Sequence, residues 1–311
     1  MSVEAFIAPF LASLKILAIA LAGYLAAAFG MLDRKVLSNI SRLLVFIFLP
    51  AFIFYHTLSN SSIGALGRWW IFPLIALGIF LLSFVVAYLM AIVFHIKGKS
   101  QFIATIVFQN CGYMPLLLIS SLFKGEMGDA LYVYVFLFLI LFNLLIWSLG
   151  VYMLSGARDF ISGIKKAVNP PFIATVISII LLSFGLNKLI PGFVFDVAQV
   201  LGRPVLPLSM MVLGGLLQVN CLTCAVDRNA LWLSVFIKLA LLPAIGLVFI
   251  NLIPIDYIMK WFVIVELAVP SAVSLVIITE AYGGDSNFIS QVLLYSSLLS
   301  IITLPIFLAL I

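Results

Sequence analysis

Residues 101–122 read Gln101-Phe-Ile-Ala-Thr-Ile-Val-Phe-Gln109-Asn110-Cys111-Gly112-Tyr113-Met114-Pro115-Leu-Leu-Leu-Ile-Ser-Ser-Leu122. Both flanks are apolar enough for hydrocarbon, while the middle carries two carboxamides, a glycine and a proline. A plain helix in lipid does not suit that centre. Pro115 has no N–H to give, which frees the carbonyl of Cys111 four residues back; it also disfavours helical geometry at Met114, and Gly112 lowers the cost of unwinding. A polar group freed at membrane depth must be satisfied by protein, water or ligand. Adjacent carboxamides are costly there unless they face a partner or a wet cavity. A proline kink braced by neighbouring helices is the plainer reading of the same residues.

The rest of the chain supplies the hydrocarbon setting. Of its 311 residues 65% are hydrophobic and 9% charged, with a mean hydropathy of +1.33, far beyond the roughly half-apolar composition of soluble domains. A water-soluble fold is excluded. Apolar residues fill whole windows of about 20 residues, the length a helix needs to cross a bilayer. Stretches such as Val133 to Ile146 lack the period-two alternation of a membrane barrel. The net charge of +5 comes from basic residues scattered singly or in pairs, which read as topology signals, and no nucleic-acid partner is expected. Cys111, Cys221 and Cys224 are too few for a disulfide framework, and the lone Cys221-Leu-Thr-Cys224 pair has no His near it in sequence to complete a metal site. The N-terminus is expected to stay in place: Glu4 is the only charge before Lys15, and the apolar stretch is longer than that of a signal peptide.

Apolar windows against polar breaks place ten spans near residues 8–30, 36–58, 70–94, 101–122 and 130–154, then 169–187, 197–219, 230–253, 260–281 and 288–311. The expected fold is an all-α membrane protein of two inverted five-helix repeats, 1–154 and 169–311, joined by a cytoplasmic linker at 155–168. Loops after odd-numbered spans hold Arg34, Lys35, Lys97, Lys99, Arg158, Lys165, Lys166 and Arg228; those after even-numbered spans hold Arg68, Lys124, Lys188 and Lys260. That imbalance puts both termini outside. A second copy of a five-helix unit must enter the membrane upside down. Pro50 in span 2 answers to Pro207 in span 7, and Pro115 in span 4 to Pro270 in span 9. Paired interruptions in corresponding helices point to a transporter binding site.

The second constellation is Glu266-Leu-Ala-Val-Pro270-Ser271 in span 9, where the proline frees the carbonyl of Glu266 itself. A carboxylate inside a span is expensive and by default functional, although a protonated or outward-snorkelling Glu is the competing reading. If the two broken spans cross, Asn110, the freed carbonyl at Cys111 and Glu266 offer oxygens to a coupling Na⁺. A proton could replace the sodium, since burial disfavours a lone negative charge. Half-helix N-termini together with Asn110, Gly112, Pro115, Pro270 and Ser271 would favour a small anion. Lys238, about two turns into span 8, either neutralises a substrate carboxylate, substitutes for a cation, or snorkels to the interface. Lys15, Arg42 and Arg203 lie closer to span ends and read as snorkelled. His56 and His95 sit at helix ends without a second ligand at metal spacing. Gly214-Gly215, with Ser209 one turn before, reads as close helix packing, and Phe136, Phe138, Phe142 and Trp147 as lipid-facing bulk.

These residues resemble the auxin efflux carrier (PIN-like) family of membrane transport proteins along the whole chain. The likeness rests on Leu43 to Phe54 around Pro50, Gln109-Asn110-Cys-Gly112-Tyr-Met-Pro115, and Asn169-Pro170. It continues through Pro207-Leu with Leu213-Gly214, Lys238 to Pro243, Pro270-Ser-Ala and Glu280-Ala-Tyr282-Gly. The resemblance implies the fold of the related bile-acid sodium symporters, with broken helices 4 and 9 crossing. It implies a scaffold of helices 1, 2, 6 and 7, a transport domain of helices 3–5 and 8–10, and an elevator-like cycle. It also implies small carboxylate substrates, such as malate or malonate in prokaryotic members. The long cytoplasmic loop of the plant carriers is missing and Met114 replaces the usual glycine before Pro115, which favours a member from a prokaryotic inner membrane and argues against auxin itself. Glu266 brings the chain nearer to the sodium-coupled symporters of larger organic anions.

A membrane-embedded enzyme has one hook, Tyr282-Gly-Gly-Asp285, near the glycine-aspartate motif of intramembrane aspartyl proteases, but a second Asp at membrane depth is missing. No enzyme and no resident cofactor are expected beyond a coupling Na⁺ or H⁺. A non-transporting sensor or passive channel is the remaining alternative. The expected partners are the lipid bilayer and a small organic anion; homodimerisation is left open.

Overall fold

The computed structural model describes residues 3–59, 69–155, 170–219, 226–281 and 287–311. The described residues are helical throughout, apart from short turns and one isolated antiparallel bridge. In chain order the helices are α1 (Val3–Ala28), α2 (Arg34–Ser59), α3 (Ile71–Val93), α4 (Lys99–Val107), α5 (Tyr113–Leu122), α6 (Glu126–Leu154) and α7 (Pro170–Ser183). Then come α8 (Gly192–Gly202), α9 (Val205–Val219), α10 (Arg228–Leu252), α11 (Tyr257–Ala268), α12 (Ser274–Ala281) and α13 (Asn287–Leu308). Seven stretches of the described chain are long and apolar enough to cross a membrane, α8 and α9 together counting as one. The linker at 156–168, Asn169, Cys221, Cys224 and the Tyr282–Asp285 motif lie outside the described residues.

Local chemistry explains the ends. The N-caps of α2, α10 and α11 are aspartates: Asp33 accepts from the N–H of Val36, Asp227 from Asn229 and Ala230, and Asp256 from Met259. Three of the few acidic residues are thereby spent on the orphan donors of helix starts. Inside the apolar segments, Thr175 and Thr279 donate to the carbonyls of Pro171 and Leu275 four residues back, which hides their hydroxyls from lipid. Two of the prolines within long helices stand just after a π-helical turn: Pro50 follows Leu44–Phe48, and Pro243 follows Ile237–Leu241. The wider turn accommodates the missing N–H and the ring that would strike the preceding turn. A third π turn, Ile146–Gly150, has no proline; there Ser148 donates back to the Leu144 carbonyl.

The packing corrects one expectation. Phe136, Phe138 and Phe142 do not face lipid; all three are buried and Trp147 is half-buried. Phe138 meets Phe142 and Phe262 with ring centroids 5.9 and 5.8 Å apart, and Phe142 meets Phe108 at 6.1 Å. A run that is apolar on every face carries no information about which face is covered, and α6 is an interior helix. The lipid-facing residues lie elsewhere, for example Leu81 and Leu89 on α3 and Leu14 and Leu21 on α1. Helices α1 and α9 touch backbone to backbone: a Cβ added at Gly214 would stand 1.7 Å from the Ala20 oxygen, and one at Gly23 would stand 2.0 Å from the Met211 oxygen. Gly214 is therefore a packing residue, as its small-residue context suggests. Lys15, Arg42 and Arg203 are exposed.

Candidate functional site: the crossing of two helix gaps

Helix α4 stops at Val107 and α5 starts at Tyr113; α11 stops at Ala268 and α12 starts at Ser274. The second gap follows from its proline. Val269 precedes Pro270 and takes an extended conformation (φ −67°, ψ 150°), as the ring requires of the residue before it. The first gap falls N-terminal to the position the sequence suggests. Pro115 is the third residue of α5 and Met114 is helical, because a proline in the first turn lacks only an N–H that would be orphaned anyway. Phe108 (φ −97°, ψ 107°) leaves the helix instead, so that Gln109 to Gly112 form the gap and the carbonyl of Cys111 lies within it.

The two gaps lie against each other. The N–H of Asn110 donates to the Pro270 carbonyl at 2.8 Å and the N–H of Ala272 to the Phe108 carbonyl at 2.9 Å, placing Gln109 opposite Ser271 in an antiparallel bridge. Backbone groups stranded by each break are thus satisfied by the other. Ser271 adds a brace, since its Oγ donates to the Thr105 carbonyl at 2.6 Å and its N–H to Ser296 Oγ of α13 at 3.4 Å.

Around this bridge the side chains are buried, polar and incompletely paired. Gln109, Asn110, Lys238 and Glu266 are all at most 5% exposed. Lys238 projects from the π turn of α10, and its Nζ donates to Gln109 Oε1 at 3.3 Å and to the Leu267 carbonyl at 3.5 Å. It does not snorkel. With its oxygen turned to Lys238, the Gln109 amide leaves its Nε2 without a partner. Asn110 Nδ2 and both carboxyl oxygens of Glu266 also lack one, while Lys238 lies within electrostatic reach of Glu266. Unpaired buried polar groups are rare in folded proteins, and the carboxamide and carboxylate ones among the described residues gather at this crossing. Cys111 is buried beside them. Gly112 is not demanded by packing, since an added Cβ would meet only Leu139 at 3.8 Å.

A cavity of about 790 Å³ lies between α3, α10 and α11, reaching from Asp256 and Tyr134 to Gly246 and Leu267. Its walls are mainly apolar, and Leu267, not Gln109 or Asn110, is among the residues that line it. The crossing itself is closed from solvent in this conformation.

The profile of the family described as membrane transport protein matches residues 10–162 and 157–308, nearly the whole chain and both gaps with it. The chain belongs to the membrane transport protein family. This is the auxin efflux carrier (PIN-like) family that its motifs resemble, and this member is an integral membrane transporter. Along its length it is similar to the uncharacterized transporter MJ1031 of Methanocaldococcus jannaschii, 24% identical over 295 residues that cover 94% of this chain and 95% of that protein. A shorter likeness, 32% over 111 residues, links 35% of this chain to 25% of the uncharacterized transporter C5D6.04 of Schizosaccharomyces pombe.

Within this family member the structure brings Asn110, Cys111, Pro270 and Ser271 into one place, with Lys238 and Glu266 around them. The sequence reading left Gln109 off the site despite its place beside Asn110, and it missed Thr105, Ser296 and the Leu267 carbonyl. The first was legible as one of two adjacent carboxamides. The others are helix residues whose role appears only once the gaps meet.

Proposed function

We propose that this protein is a secondary active transporter of a small organic anion, a mono- or dicarboxylate such as malate or malonate, bound at the crossing of the two gaps. The observation that carries this reading is the donor set: Lys238 Nζ with the unpartnered Gln109 Nε2 and Asn110 Nδ2, all buried. Charge-assisted donors in a dry site suit a carboxylate, and the N-terminus of α5 adds its unsatisfied N–H groups and positive dipole end.

In this reading the ammonium of Lys238 stands where a coupling Na⁺ would otherwise be held by the Gln109 and Leu267 oxygens, so the carrier needs no sodium. Glu266 carries the coupling proton. Unprotonated, its bare oxygens repel the substrate; protonated, the same group gains an O–H donor, so binding of anion and proton are linked and low pH favours loading. A second reading draws on the same bare carboxylate: Glu266 with Asn110 and the Cys111 carbonyl would hold Na⁺, as in a bile-acid-symporter-like carrier of larger anions.

The architecture that accompanies this function is ten spans in two inverted five-helix repeats. The order of three spans, an interrupted span and a final long one supports it: α1 to α6 run so, and α7 to α13 repeat it with a shorter first helix, α7, and a second span made of α8 and α9. Helices α1, α2 and α7–α9 would form the stationary scaffold. The remaining helices would carry the site across a prokaryotic inner membrane in an elevator-like cycle, with both termini outside. Counterflow of labelled malonate and malate in proteoliposomes, across pH and Na⁺ steps, tests it. Saturable exchange that rises as pH falls from the alkaline side and ignores Na⁺ is expected; exchange that requires Na⁺ selects the second reading, and leakage without saturation a channel.

A further inference from the structure

Far along the sequence from either gap, His56 near the end of α2 meets Asp129 in the first turn of α6, Nδ1 to Oδ1 at 2.9 Å. Both side chains are part-exposed, 19% and 31%. The imidazole packs on Phe52 and Tyr132 with centroids 4.3 and 4.4 Å away and meets Tyr55 edge-on at 5.1 Å. On its other flank α2 is tied to α8 by a neutral hydrogen bond, Gln199 Nε2 to Tyr55 Oη at 2.7 Å, and to α7 by apolar contact around Leu58 and Leu182. The link from α2 to α6 adds an ionisable pair to ring packing of Phe52 on Tyr132 and Phe136, with centroids 5.4 and 6.1 Å apart.

We propose that His56 and Asp129 form a proton-binding latch that clasps α6 to α2 and keeps the crossing shut to water. This rests on the alternating-access reading above, in which α2 is stationary and α6 moves with the site. In this structure the pair is formed and the crossing side chains are buried, which is the association a latch requires. Histidine is the side chain whose charge changes near neutral pH. Facing it are Asp129 and Tyr132 from α6 and Phe52 and Tyr55 from its own helix, with Gln199 of α8 reached through Tyr55; among these described residues Asp129 is the charged one. A proton on His56 converts an ordinary hydrogen bond to an imidazolium–carboxylate pair, which is the stronger of the two. Acid therefore tightens the latch and alkali loosens it, the opposite sign from proton loading at Glu266. Transport should accordingly pass through a maximum with pH, with His56 responsible for the fall on the acid side.

The native thiol of Cys111 reports whether the crossing is open. Alkylation of the full chain in liposomes by N-ethylmaleimide, read at Cys111 by peptide mass spectrometry, is compared between His56→Gln and wild type from about pH 5.5 to about pH 8. Taking the ratio at each pH cancels the ionisation of the thiol itself. The expected ratio is about two- to fivefold at the acid end, the range of a part-exposed ion pair, and falls to one at the alkaline end. Asp129→Asn should give the same profile, and the double variant should add nothing to either. A ratio that stays constant with pH, or a Cys111 that resists labelling in every variant, overturns the latch; a constant rise is also what simple loosening of the fold would give. Because the readout needs no transported molecule, a protein that moves no carboxylate yet shows this profile retains the latch and loses the assigned transport.

Discussion

Lys238 Nζ lies 3.3 Å from Gln109 Oε1, and that contact joins the π turn of α10 to the gap between α4 and α5. It orients the Gln109 amide and brings the Lys238 amine to a crossing made of main-chain bonds.

Replacing that charge should disable transport with little harm to the fold. Lys238→Met keeps the length and apolar stem while removing the ammonium. Carboxylate counterflow should fall by about tenfold or more, the scale of losing a hydrogen bond to a charged group, while the melting temperature changes little, because an apolar replacement of a buried charge is often tolerated. Initial rates per folded protein check this. Rates within about twofold of wild type would remove Lys238 from the site.

Glu266→Gln should uncouple the carrier from protons. The amide supplies an N–H donor at every pH, so loading no longer improves as pH falls. Exchange should persist while net uptake driven by an inward proton gradient is lost. A variant whose uptake still responds to the gradient as the wild type does would assign the proton elsewhere.

Ser271 and Asn110 should behave differently although both stand at the crossing, Asn110 next to the Gln109 that pairs with Ser271. The Ser271 hydroxyl is committed to the Thr105 carbonyl at 2.6 Å, whereas Asn110 Nδ2 has no partner. Ser271→Ala should cost about 1 kcal/mol of stability and leave the KM for carboxylate near wild type. Asn110→Ala should leave stability near wild type or raise it, since a buried unpaired group disappears, and should raise KM several-fold. Denaturation and saturation curves on both variants separate the two roles.

Gly214→Ala should damage the fold more than any of these. Its Cβ would fall 1.7 Å from the Ala20 oxygen, a backbone atom that cannot move without displacing α1 from α9. The cost should reach about 3 kcal/mol, at the upper end for overpacking, and appear as a lowered melting temperature. Gly112→Ala, with only Leu139 nearby at 3.8 Å, should melt close to wild type.

Several of these features can be read in the residues, and the reasons for the rest are physical. Pro270 announces its gap because the residue before a proline is forced extended, and Val269 obeys. Pro115 misleads by a few positions, since a proline is harmless in a first helical turn and the chain leaves α4 at Phe108 without one. Glu266 stands out as a charge in a span. Lys238 is equally visible, but sequence distance to the interface does not tell whether a long stem reaches outward or inward, and only the position of Gln109 decides it. The aromatic run of α6 is silent on orientation for want of any polar face. His56 and Asp129, 73 residues apart, share no periodicity that would pair them.

The central claim is that the donors at the crossing bind a carboxylate without sodium. Its most direct test is a thermal-shift titration of the purified protein with malonate and malate, with Na⁺ replaced by choline, on wild type, Asn110→Ala and Lys238→Met. A ligand that binds only the folded state raises its apparent stability. A concentration-dependent rise in wild type, equal with and without Na⁺ and absent from both variants, is the predicted result; a rise that needs Na⁺, or one that survives in both variants, contradicts it.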